Sequence, residues 1–434
     1  IQRARAFECL LTHKTICIQP GELIVGERGP FAKATPTYPE ICLHSLDDLD
    51  ILHNRPKVSF YVSEETRCAY RDQIIPFWKG KTQRERIFEQ MNQAWLKAYQ
   101  AGVFTEFQEQ RAPGHTVAGD GLFRRGMLDV IFEIRKTRLR LEKQPDTQPE
   151  QIHELEAMEI TAKAIIAFAQ RHADALSEMA ENEKNLQRKA ELKELQRICM
   201  KVPANAPESF HEALQHYWFI HLGVITELNP WDSFSPGRLD QHLISHYERE
   251  IQHKSLSPEW ARELLQAFWI KFNNHPSPPK MGVTAKESST YTDFSLINLG
   301  GVKDDGQCGV NALSFMMLDV VEEMRLLQPS SMVQISKKSP DTFLQRALHI
   351  CRTGFGQPSF FNTEAIVQQL LSQGKTLTDA RRGGASGCVE TGAFGTEAYT
   401  LSGYFNLNKI LEITLFKGLD PLSGELTGLD QRQQ

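Results

Sequence analysis

The stretch from Arg381 to Gly395 constrains the fold of this chain more than any other, because it holds five glycines between positions 383 and 395. In a helix, each of these glycines would cost about 1 kcal/mol relative to alanine. The stretch is therefore predicted to be a loop that bends tightly and lets other groups approach its backbone closely. A thiol and a carboxylate, those of Cys388 and Glu390, stand at its centre. In extended backbone, residues i and i+2 project to the same side, so both groups would face one space.

Cys388 alone is weak evidence for catalysis, because a single cysteine is usually a small buried hydrophobic residue. Two motifs that use glycine-rich turns do not fit the spacing. The nucleophile elbow of hydrolases needs Gly-x-Ser-x-Gly, and in Gly384-Ala385-Ser386-Gly387-Cys388 the cysteine takes the place of the second glycine. A dinucleotide-binding loop needs Gly-x-Gly-x-x-Gly, which the glycines at 383, 384 and 387 do not supply.

The run Gly387-Cys388-Val389-Glu390 resembles the cysteine loop of the glycyl radical enzymes. In that family the cysteine becomes a thiyl radical that removes a hydrogen atom from a substrate carbon, and the glutamate handles protons. The acyl-transferring members have two adjacent cysteines, whereas this chain has Gly387 in the first position, which favours the eliminating branch. The wider match, through Gly403-Tyr404-Phe405-Asn406, is similar to the dehydratases of this family that act on trans-4-hydroxy-L-proline.

Composition excludes several other classes of protein. The net charge of −5 gives no reason to expect a nucleic acid or an anionic membrane as a partner. No run of eighteen apolar residues is present, and the first residues contain no apolar signal core, so a soluble cytoplasmic protein is predicted. The eight cysteines form no Cys-x-x-Cys pair, which argues against a zinc ribbon, a thioredoxin-type pair or an iron–sulfur cluster. A radical would therefore have to be generated by another protein.

His242 and His246 are spaced i, i+4, a pattern that can chelate a metal ion from one helix. The full His-Glu-x-x-His motif is absent, and the predicted interpretation is a solvated helix face. No metal and no bound cofactor are expected.

Three polar residues outside the glycine-rich stretch have structural as well as functional interpretations. Pro113-Gly114 is a turn signal that places His115 on a loop, although a single histidine is more often structural. Asp232 lies between aromatic residues, where a carboxylate needs a partner or a substrate, yet a loop hydrogen bond explains it equally well. Ser288 belongs to a hydroxyl-rich segment of the kind that usually forms ordinary turns.

The resemblance assigns roles to these residues and adds others. It implies that Cys388 abstracts hydrogen, that Glu390 handles protons, and that His115 or Asp232 helps the hydroxyl group to leave. It further implies that Ser288 hydrogen-bonds the polar end of the substrate. The same resemblance implies an aromatic wall around the pocket, formed by Phe107, Phe294 and Tyr404.

Apolar runs and helical patterns alternate in the last third of the chain. Strands are predicted at Met332–Ser336 and Gln357–Phe361, and helices from Ser339 to about Thr353 and from Glu364 to Ser372. Such alternation indicates a parallel α/β arrangement, either a barrel or an open sheet. The resemblance implies a ten-stranded α/β barrel with the cysteine loop at its centre.

The domain prediction is one partial barrel domain over residues 1–434, with the cysteine loop at 381–406. Residues 124–200 are predicted to form peripheral helices, as two long helices separated at 143–146 and with a solvated face. Residues 23–25 look strand-like.

Both ends of the chain are expected to be truncated. The sequence starts without methionine, and the family's radical-bearing Arg-Val-x-Gly-Tyr motif is not found: Leu401-Ser402-Gly403-Tyr404 belongs to the cysteine loop instead. The expectation is a fragment that lacks the C-terminal glycyl radical domain and is inactive alone. The resemblance implies that a separate radical S-adenosylmethionine activase installs the radical, and that the enzyme is a homodimer.

Three rival functions remain open from the sequence. The nearest is another eliminase of the same family, acting on a diol or on choline. The second is a relative without radical chemistry, or a fragment, that binds a ligand or a partner. The third is a cysteine-nucleophile hydrolase, which would need a histidine base beside Cys388.

Overall fold

The computed structural model of the chain describes residues 1–34, 36–56, 59–105, 116–227, 234–276, 278–279, 281, 285–286, 295–387, 389–397 and 404–427. Its helices are α1 Gln2–His13, α2 Leu46–Asn54, α3 Glu64–Ala69, α4 Ile75–Trp78, α5 Gln83–Gln90, α6 Gln93–Gln100, α7 Met127–Leu141, α8 Pro149–Asn182, α9 Leu186–Lys201, α10 Phe210–Glu227, α11 Leu239–His253, α12 Pro258–Asn273, α13 Ala312–Met324, α14 Asp341–Cys351, α15 Thr363–Ser372, α16 Leu377–Arg381 and α17 Leu407–Leu415. Its strands are β1 Phe104–Thr105, β2 Leu296–Gly300, β3 Ser330–Ile335, β4 Ser359–Asn362, β5 Gly384–Ser386, β6 Glu390–Gly392 and β7 Tyr404–Phe405.

The chain divides into two compact units. The first unit comprises Ile1–Ala34, His115–Ser277 and Tyr291–Tyr399. The second comprises Thr35–Gly114, Pro278–Thr290 and Thr400–Gln434. The first unit contains β2 to β6, and the second contains β1 and β7.

Helix α10 lies at the centre of the first unit's core. It is apolar on nearly every side, so most of its residues, including Trp218 and Phe219, are buried. Helices α8 and α9 pack beside it and contribute Phe168 and Leu195 to the same core. The prediction of two helices over 124–200 was wrong in their number. The region forms three helices, α7, α8 and α9, and one face of α8 and α9 is buried.

Strands β2, β3 and β4 form a parallel sheet in that order. Parallel neighbours need a crossover, and helices α13 and α14 supply the two crossovers. The Asn311 side chain caps α13 by accepting hydrogen bonds from the Leu313 and Ser314 N–H groups at 2.9 and 3.3 Å. The strands and helices predicted in this part of the chain are confirmed, with small shifts at their ends.

The two faces of this sheet have different neighbours. Ile297, Leu299 and Val333 face the main core. Leu296 and Met332, on the opposite face, form a smaller apolar cluster with Ala385 of β5. The short strands of the glycine-rich stretch therefore lie against the sheet face that points away from the large helices.

Two sequence predictions about local environment were wrong. His242 and His246 are both buried on α11, not solvated, and His242 stacks on Phe123 with ring centroids 5.0 Å apart. Burial lowers the pKa of His242 to about 3. Leu23–Val25 is not a strand, because its backbone partners are side chains of α10.

In the part of the chain that the structure describes, no helix is both long and apolar enough to cross a membrane.

Candidate active site

Glu390 and the backbone of Tyr404 are the predicted site residues that fall within the described part of the chain. The remaining predicted site residues lie outside the described residues: Phe107, His115, Asp232, Ser288, Phe294 and Cys388. The described residues next to them carry the geometry of the site.

Strands β5 and β6, which flank Cys388 in the sequence, pair as an antiparallel hairpin. Ser386 pairs with Glu390, and Gly384 pairs with Gly392, so residues 387–389 connect the two strands. Gly387 has φ of +54°, in the left-handed region that glycine adopts without strain. The stretch predicted to be a loop therefore contains two short paired strands, and its backbone is not extended at Gly387.

The hairpin joins a buried strand to an accessible tip. Ser386 is fully buried, whereas Val389 is 67% exposed. Glu390 is half-buried, and its Oε2 accepts a hydrogen bond from the Val389 N–H at 3.0 Å. The carboxylate therefore lies within two residues of the thiol position, at the border between the packed sheet and the tip.

Two buried amide side chains, here called the amide pair (Asn298 and Gln334), hold β5 against the parallel sheet. Asn298 of β2 donates through Nδ2 to the Ala385 carbonyl at 2.9 Å and accepts from the Ala385 N–H at 3.1 Å. Gln334 of β3 donates to Asn298 Oδ1 at 3.3 Å and to the Gly383 carbonyl at 3.1 Å. Both amides are at most 2% exposed.

Charged side chains fix the start of the hairpin. Arg238 is buried and donates to the Arg381 carbonyl at 2.9 Å and to the Val302 carbonyl at 2.7 Å. Arg382 forms a bidentate ion pair with Asp304, with Nε to Oδ1 at 2.9 Å. Because this pair favours the ionised carboxylate, it lowers the pKa of Asp304.

A buried carboxyl ties the end of β2 to α13. Asp240 accepts the Gly300 N–H at 2.8 Å and the Ser314 hydroxyl at 2.5 Å. Burial raises the pKa of Asp240 to about 6, although these hydrogen bonds oppose the rise. Asp240 therefore holds the end of β2, the strand from which Asn298 bonds to the hairpin.

Within the first unit, the described segments that begin shortly after His115, Asp232 and Phe294 lie side by side. The Ser235 N–H donates to the Thr116 carbonyl at 2.9 Å. The Leu296 N–H donates to Ser235 Oγ at 3.2 Å. Three segments that are far apart in sequence therefore meet at the same sheet edge.

The same edge meets the residues that follow the hairpin. The Gly395 N–H donates to the Val117 carbonyl at 3.3 Å. Gly119 and Gly395 approach so closely that a Cβ on Gly119 would lie 2.8 Å from the Gly395 Cα. The segment after His115 is thus joined to the segment after Cys388.

In the second unit, β1 and β7 bring two other predicted regions together. Thr105 lies opposite Tyr404, and Phe104 lies opposite Phe405 with ring centroids 6.3 Å apart. The Asn406 N–H donates to the Val103 carbonyl at 2.8 Å. The chain that leads into the Phe107 segment is therefore paired with the strand that contains Tyr404.

Sequence reasoning missed the residues that support the hairpin, and a signal for two of them was present. Asn298 stands in the run Leu296-Ile297-Asn298-Leu299, and Gln334 stands between Val333 and Ile335. A polar side chain in an otherwise buried strand must find hydrogen-bond partners, because burying it without them is costly. No such signal marks Arg238 or Asp304, which lie in polar loops.

Among the described residues, no group of three or more histidine, cysteine, aspartate or glutamate side chains is arranged to hold a metal ion.

The whole chain, residues 1–434, matches the model of the pyruvate formate lyase-like family. It is 52% identical to a trans-4-hydroxy-L-proline dehydratase from Clostridioides difficile over 99% of this chain and 55% of that protein. The chain spans about half the length of the curated relatives it matches.

Solved structures give the same picture. The crystal structure of hydroxyproline dehydratase from Clostridioides difficile with trans-4-hydroxy-L-proline bound matches with a TM-score of 0.94 and 51% identity, over 99% of this chain and 54% of that one. The glycerol-bound B12-independent glycerol dehydratase from Clostridium butyricum matches with a TM-score of 0.89 and 32% identity, over 99% of this chain and 54% of that one. The predicted α/β barrel fold of the glycyl radical enzyme type is confirmed by these neighbours.

Proposed function

The chain belongs to the pyruvate formate lyase-like family, and we propose that it carries the thiol-bearing part of a glycyl radical dehydratase that acts on trans-4-hydroxy-L-proline. The observation that carries the proposal is the identity of 52% over almost the whole chain with a dehydratase of that substrate. Identity with the glycerol dehydratase structure is only 32%, although the folds agree nearly as well. The difference lies in side chains, which is where substrate choice is determined.

Cys388 is the proposed hydrogen-abstracting residue. It occupies the middle of the three-residue connection between β5 and β6, next to the accessible Val389. In the resembled family, a radical on a C-terminal glycine supplies the oxidised state of this thiol. As a thiyl radical, Cys388 would take a hydrogen atom from the ring carbon beside the substrate nitrogen and later return one.

Loss of the neighbouring hydroxyl requires a proton, because hydroxide is a poor leaving group. We assign proton handling to Glu390 and assistance to His115 or Asp232. The Ser235 N–H donates to the Thr116 carbonyl at 2.9 Å, which supports placing the neighbouring His115 and Asp232 close together. The elimination then gives water and pyrroline-5-carboxylate.

The remaining predicted residues would form the pocket. Phe107, Phe294 and Tyr404 are proposed to exclude water, which protects a radical and strengthens electrostatic interactions in the site. Ser288 is proposed to hydrogen-bond the polar end of the substrate. The pairing of β1 with β7 supports a common wall from the Phe107 and Tyr404 segments.

The proposed partners follow the family. A separate radical S-adenosylmethionine activase would install the glycyl radical, and the working enzyme would be a homodimer. No further bound cofactor is proposed.

The central test replaces Cys388 and Glu390 separately in the full-length gene product. Cys388→Ser should still allow the glycyl radical to form but should abolish turnover, because the alcohol O–H bond is too strong to be broken by that radical. Glu390→Gln should keep the radical and lower turnover about 10²–10⁴-fold, the usual contribution of a general acid–base group. Electron paramagnetic resonance measures the radical, and product formation measures turnover.

Hydrogen exchange between deuterated substrate and the enzyme thiol separates the two roles. Glu390→Gln should retain some exchange without product, and Cys388→Ser should show none. Near-normal dehydration by Glu390→Gln would mean that the carboxylate is a structural residue of the hairpin. Turnover of a diol, of choline, or of pyruvate with coenzyme A at a rate comparable to that of hydroxyproline would refute the substrate assignment.

A further inference from the structure

We propose that the amide pair, Asn298 and Gln334, positions the Cys388 thiol for hydrogen transfer; the proposal rests on the function proposed above. Neither residue would touch the substrate. They act through β5, whose Ala385 is three residues from Cys388.

Asn298 takes the place of a neighbouring strand along the outer edge of β5. Both backbone groups of Ala385 bond to this one side chain, at 2.9 and 3.1 Å, and so they are not available to β6. The other edge of β5 pairs with β6 through Gly384 and Ser386. The strand before Cys388 is thereby fixed on both sides.

The Asn298 oxygen and the Gln334 nitrogen each use both of their hydrogen-bonding positions. Asn298 Oδ1 accepts from two donors, the Ala385 N–H and Gln334 Nε2. Gln334 Nε2 donates twice, to Asn298 and to the Gly383 carbonyl. Since the two side chains come from adjacent strands of a parallel sheet, the height and direction of β5 above that sheet are set by rigid elements.

The glycine sequence of the hairpin fits this arrangement. A Cβ on Gly384 would lie 2.3 Å from Asn298 Oδ1 and 2.6 Å from Gln334 Nε2. The backbone of β5 therefore lies directly against the amides, with no room for a side chain between them. A shift of either amide would be passed to the hairpin backbone.

Position matters for a thiyl radical because the hydrogen atom must pass directly from carbon to sulfur. A misplacement of about 1 Å can reduce the rate of a positioned reaction about 10²-fold. The groups proposed to bind the substrate lie on other segments. Loss of the amide pair should therefore lower kcat and leave KM nearly unchanged.

The test compares Asn298→Leu with Met332→Leu in the activated full-length enzyme. Met332 lies opposite Asn298 in the sheet register and packs in the small apolar cluster that includes Ala385, and its side chain has no group that could replace the amide bonds to β5. Asn298→Leu should lower turnover per glycyl radical about 10²-fold with KM within about threefold of the original. Met332→Leu should stay within about threefold of the original enzyme in both turnover per radical and KM, because leucine and methionine are similar in volume.

Asn298→Asp gives a second readout that a general loss of stability would not produce. An ionised carboxylate can accept from the Ala385 N–H but repels its carbonyl, whereas a protonated carboxyl can donate to that carbonyl as the amide does. Burial raises the pKa of such a group. The activity of Asn298→Asp relative to the original enzyme should therefore increase as the pH falls.

Hydrogen–deuterium exchange of the Ala385 N–H tests whether Asn298 holds β5, and it does so independently of enzyme activity. In Asn298→Leu this amide should lose protection, and in Met332→Leu it should keep it. Unchanged protection, or turnover per radical as high as that of Met332→Leu, would overturn the proposal. If the original enzyme does not dehydrate hydroxyproline but the exchange results are as expected, the proposed function is wrong while the hold of the amide pair on β5 is confirmed.

Discussion

A buried amide side chain holds a single backbone residue at two distant places in the first unit. Gln215 of α10 accepts from the Val25 N–H at 2.8 Å and donates to the Val25 carbonyl at 2.9 Å. Asn298 of β2 makes the same two bonds to Ala385 at 3.1 and 2.9 Å. The chemical group, the pattern and the burial are the same, so local geometry alone does not distinguish the two contacts.

The difference lies in what else supports each backbone and where it leads. Around Val25 the same helix supplies His211, which bonds the Leu23 carbonyl at 2.7 Å, and Trp218, which donates to the Gly26 carbonyl at 2.9 Å. That segment continues into Glu27, which forms a buried ion pair with Lys271. The first contact therefore belongs to a redundant structural joint.

The Asn298 contact is supported by the Gln334 amide and by the pairing of β5 with β6, and the held backbone continues directly to Cys388. A contact of the same kind thus stabilises the fold at one place and is proposed to position a reactive group at the other. Substitutions at the two places should therefore affect different measurements.

The largest contrast is expected from the glycines next to the two held residues. In Gly384→Ala the new Cβ would meet the amide pair and the Phe394 ring within 2.6 Å, so β5 must move away. Turnover per radical should fall by about 10²-fold or more, as expected for a displaced reactive group. In Gly26→Ala the nearest atom is the end of a flexible Leu222 side chain, but φ of +119° is strained for alanine. That variant should lose about 1–3 kcal/mol of stability and keep its turnover per radical.

Urea unfolding and per-radical turnover of the full-length gene product check both expectations. If Gly26→Ala reduced turnover per radical as strongly as Gly384→Ala, the two contacts would not differ in role. Normal turnover in Gly384→Ala would show that the hairpin tolerates displacement.

Gln215→Leu should have a smaller effect, and only on stability. The substitution leaves the Val25 N–H and carbonyl without their partner, which typically costs about 1–3 kcal/mol for a buried group. Because His211 and Trp218 still hold the flanking residues, the segment should stay in place and turnover per radical should remain within about twofold. Comparison with Asn298→Leu then separates an effect on the position of the Cys388 thiol from an effect on the stability of the protein. A loss of turnover of about 10²-fold in Gln215→Leu would contradict the different roles assigned to the two contacts.

Local sequence patterns predicted the elements but not these contacts. The run Met332-Val333-Gln334-Ile335 indicates a strand, and the pattern from Glu364 to Ser372 indicates a helix, because both signals come from neighbouring residues. The contacts of Gln215 and Asn298 join residues that are 190 and 87 positions apart. The local pattern of polar and apolar residues does not show which backbone such an amide will contact.

The errors have the same origin. His242 was assigned to a solvated face because its partner, Phe123, is remote in sequence. The break between α8 and α9 was missed because it contains neither proline nor glycine; Asn185 starts α9 by accepting the Arg188 N–H. The roles of Cys388 and Glu390 came from a short motif whose meaning depends on resemblance, and they stay predictions until the substitutions are made.

The smallest expected effect concerns pH, because the helix that holds Val25 has a titrating group whereas the amide pair has none. Glu212 of α10 is buried, which would raise its pKa, but bonds from Lys201, the Glu208 N–H and Arg197 outweigh this and lower the pKa to about 2. A carboxyl whose pKa is depressed in the folded state stabilises the protein above its unfolded pKa of about 4.3, and this contribution is lost as the pH falls toward 2.

Glu212→Gln should therefore destabilise the protein by about 1–2 kcal/mol at pH 7, after allowance for solvent screening of its exposed partners. The difference from the original protein should shrink steadily as the pH falls from 5 to about 2, because over this range Glu212 binds a proton in the unfolded chain while it stays ionised in the folded protein. Urea unfolding at several pH values measures it, with Gln215→Leu as the matched variant on the same helix. Because an amide does not titrate, the Gln215→Leu difference should stay constant over that range. A Glu212→Gln difference that also stayed constant would show that the charge of Glu212 contributes nothing to the stability of the folded protein.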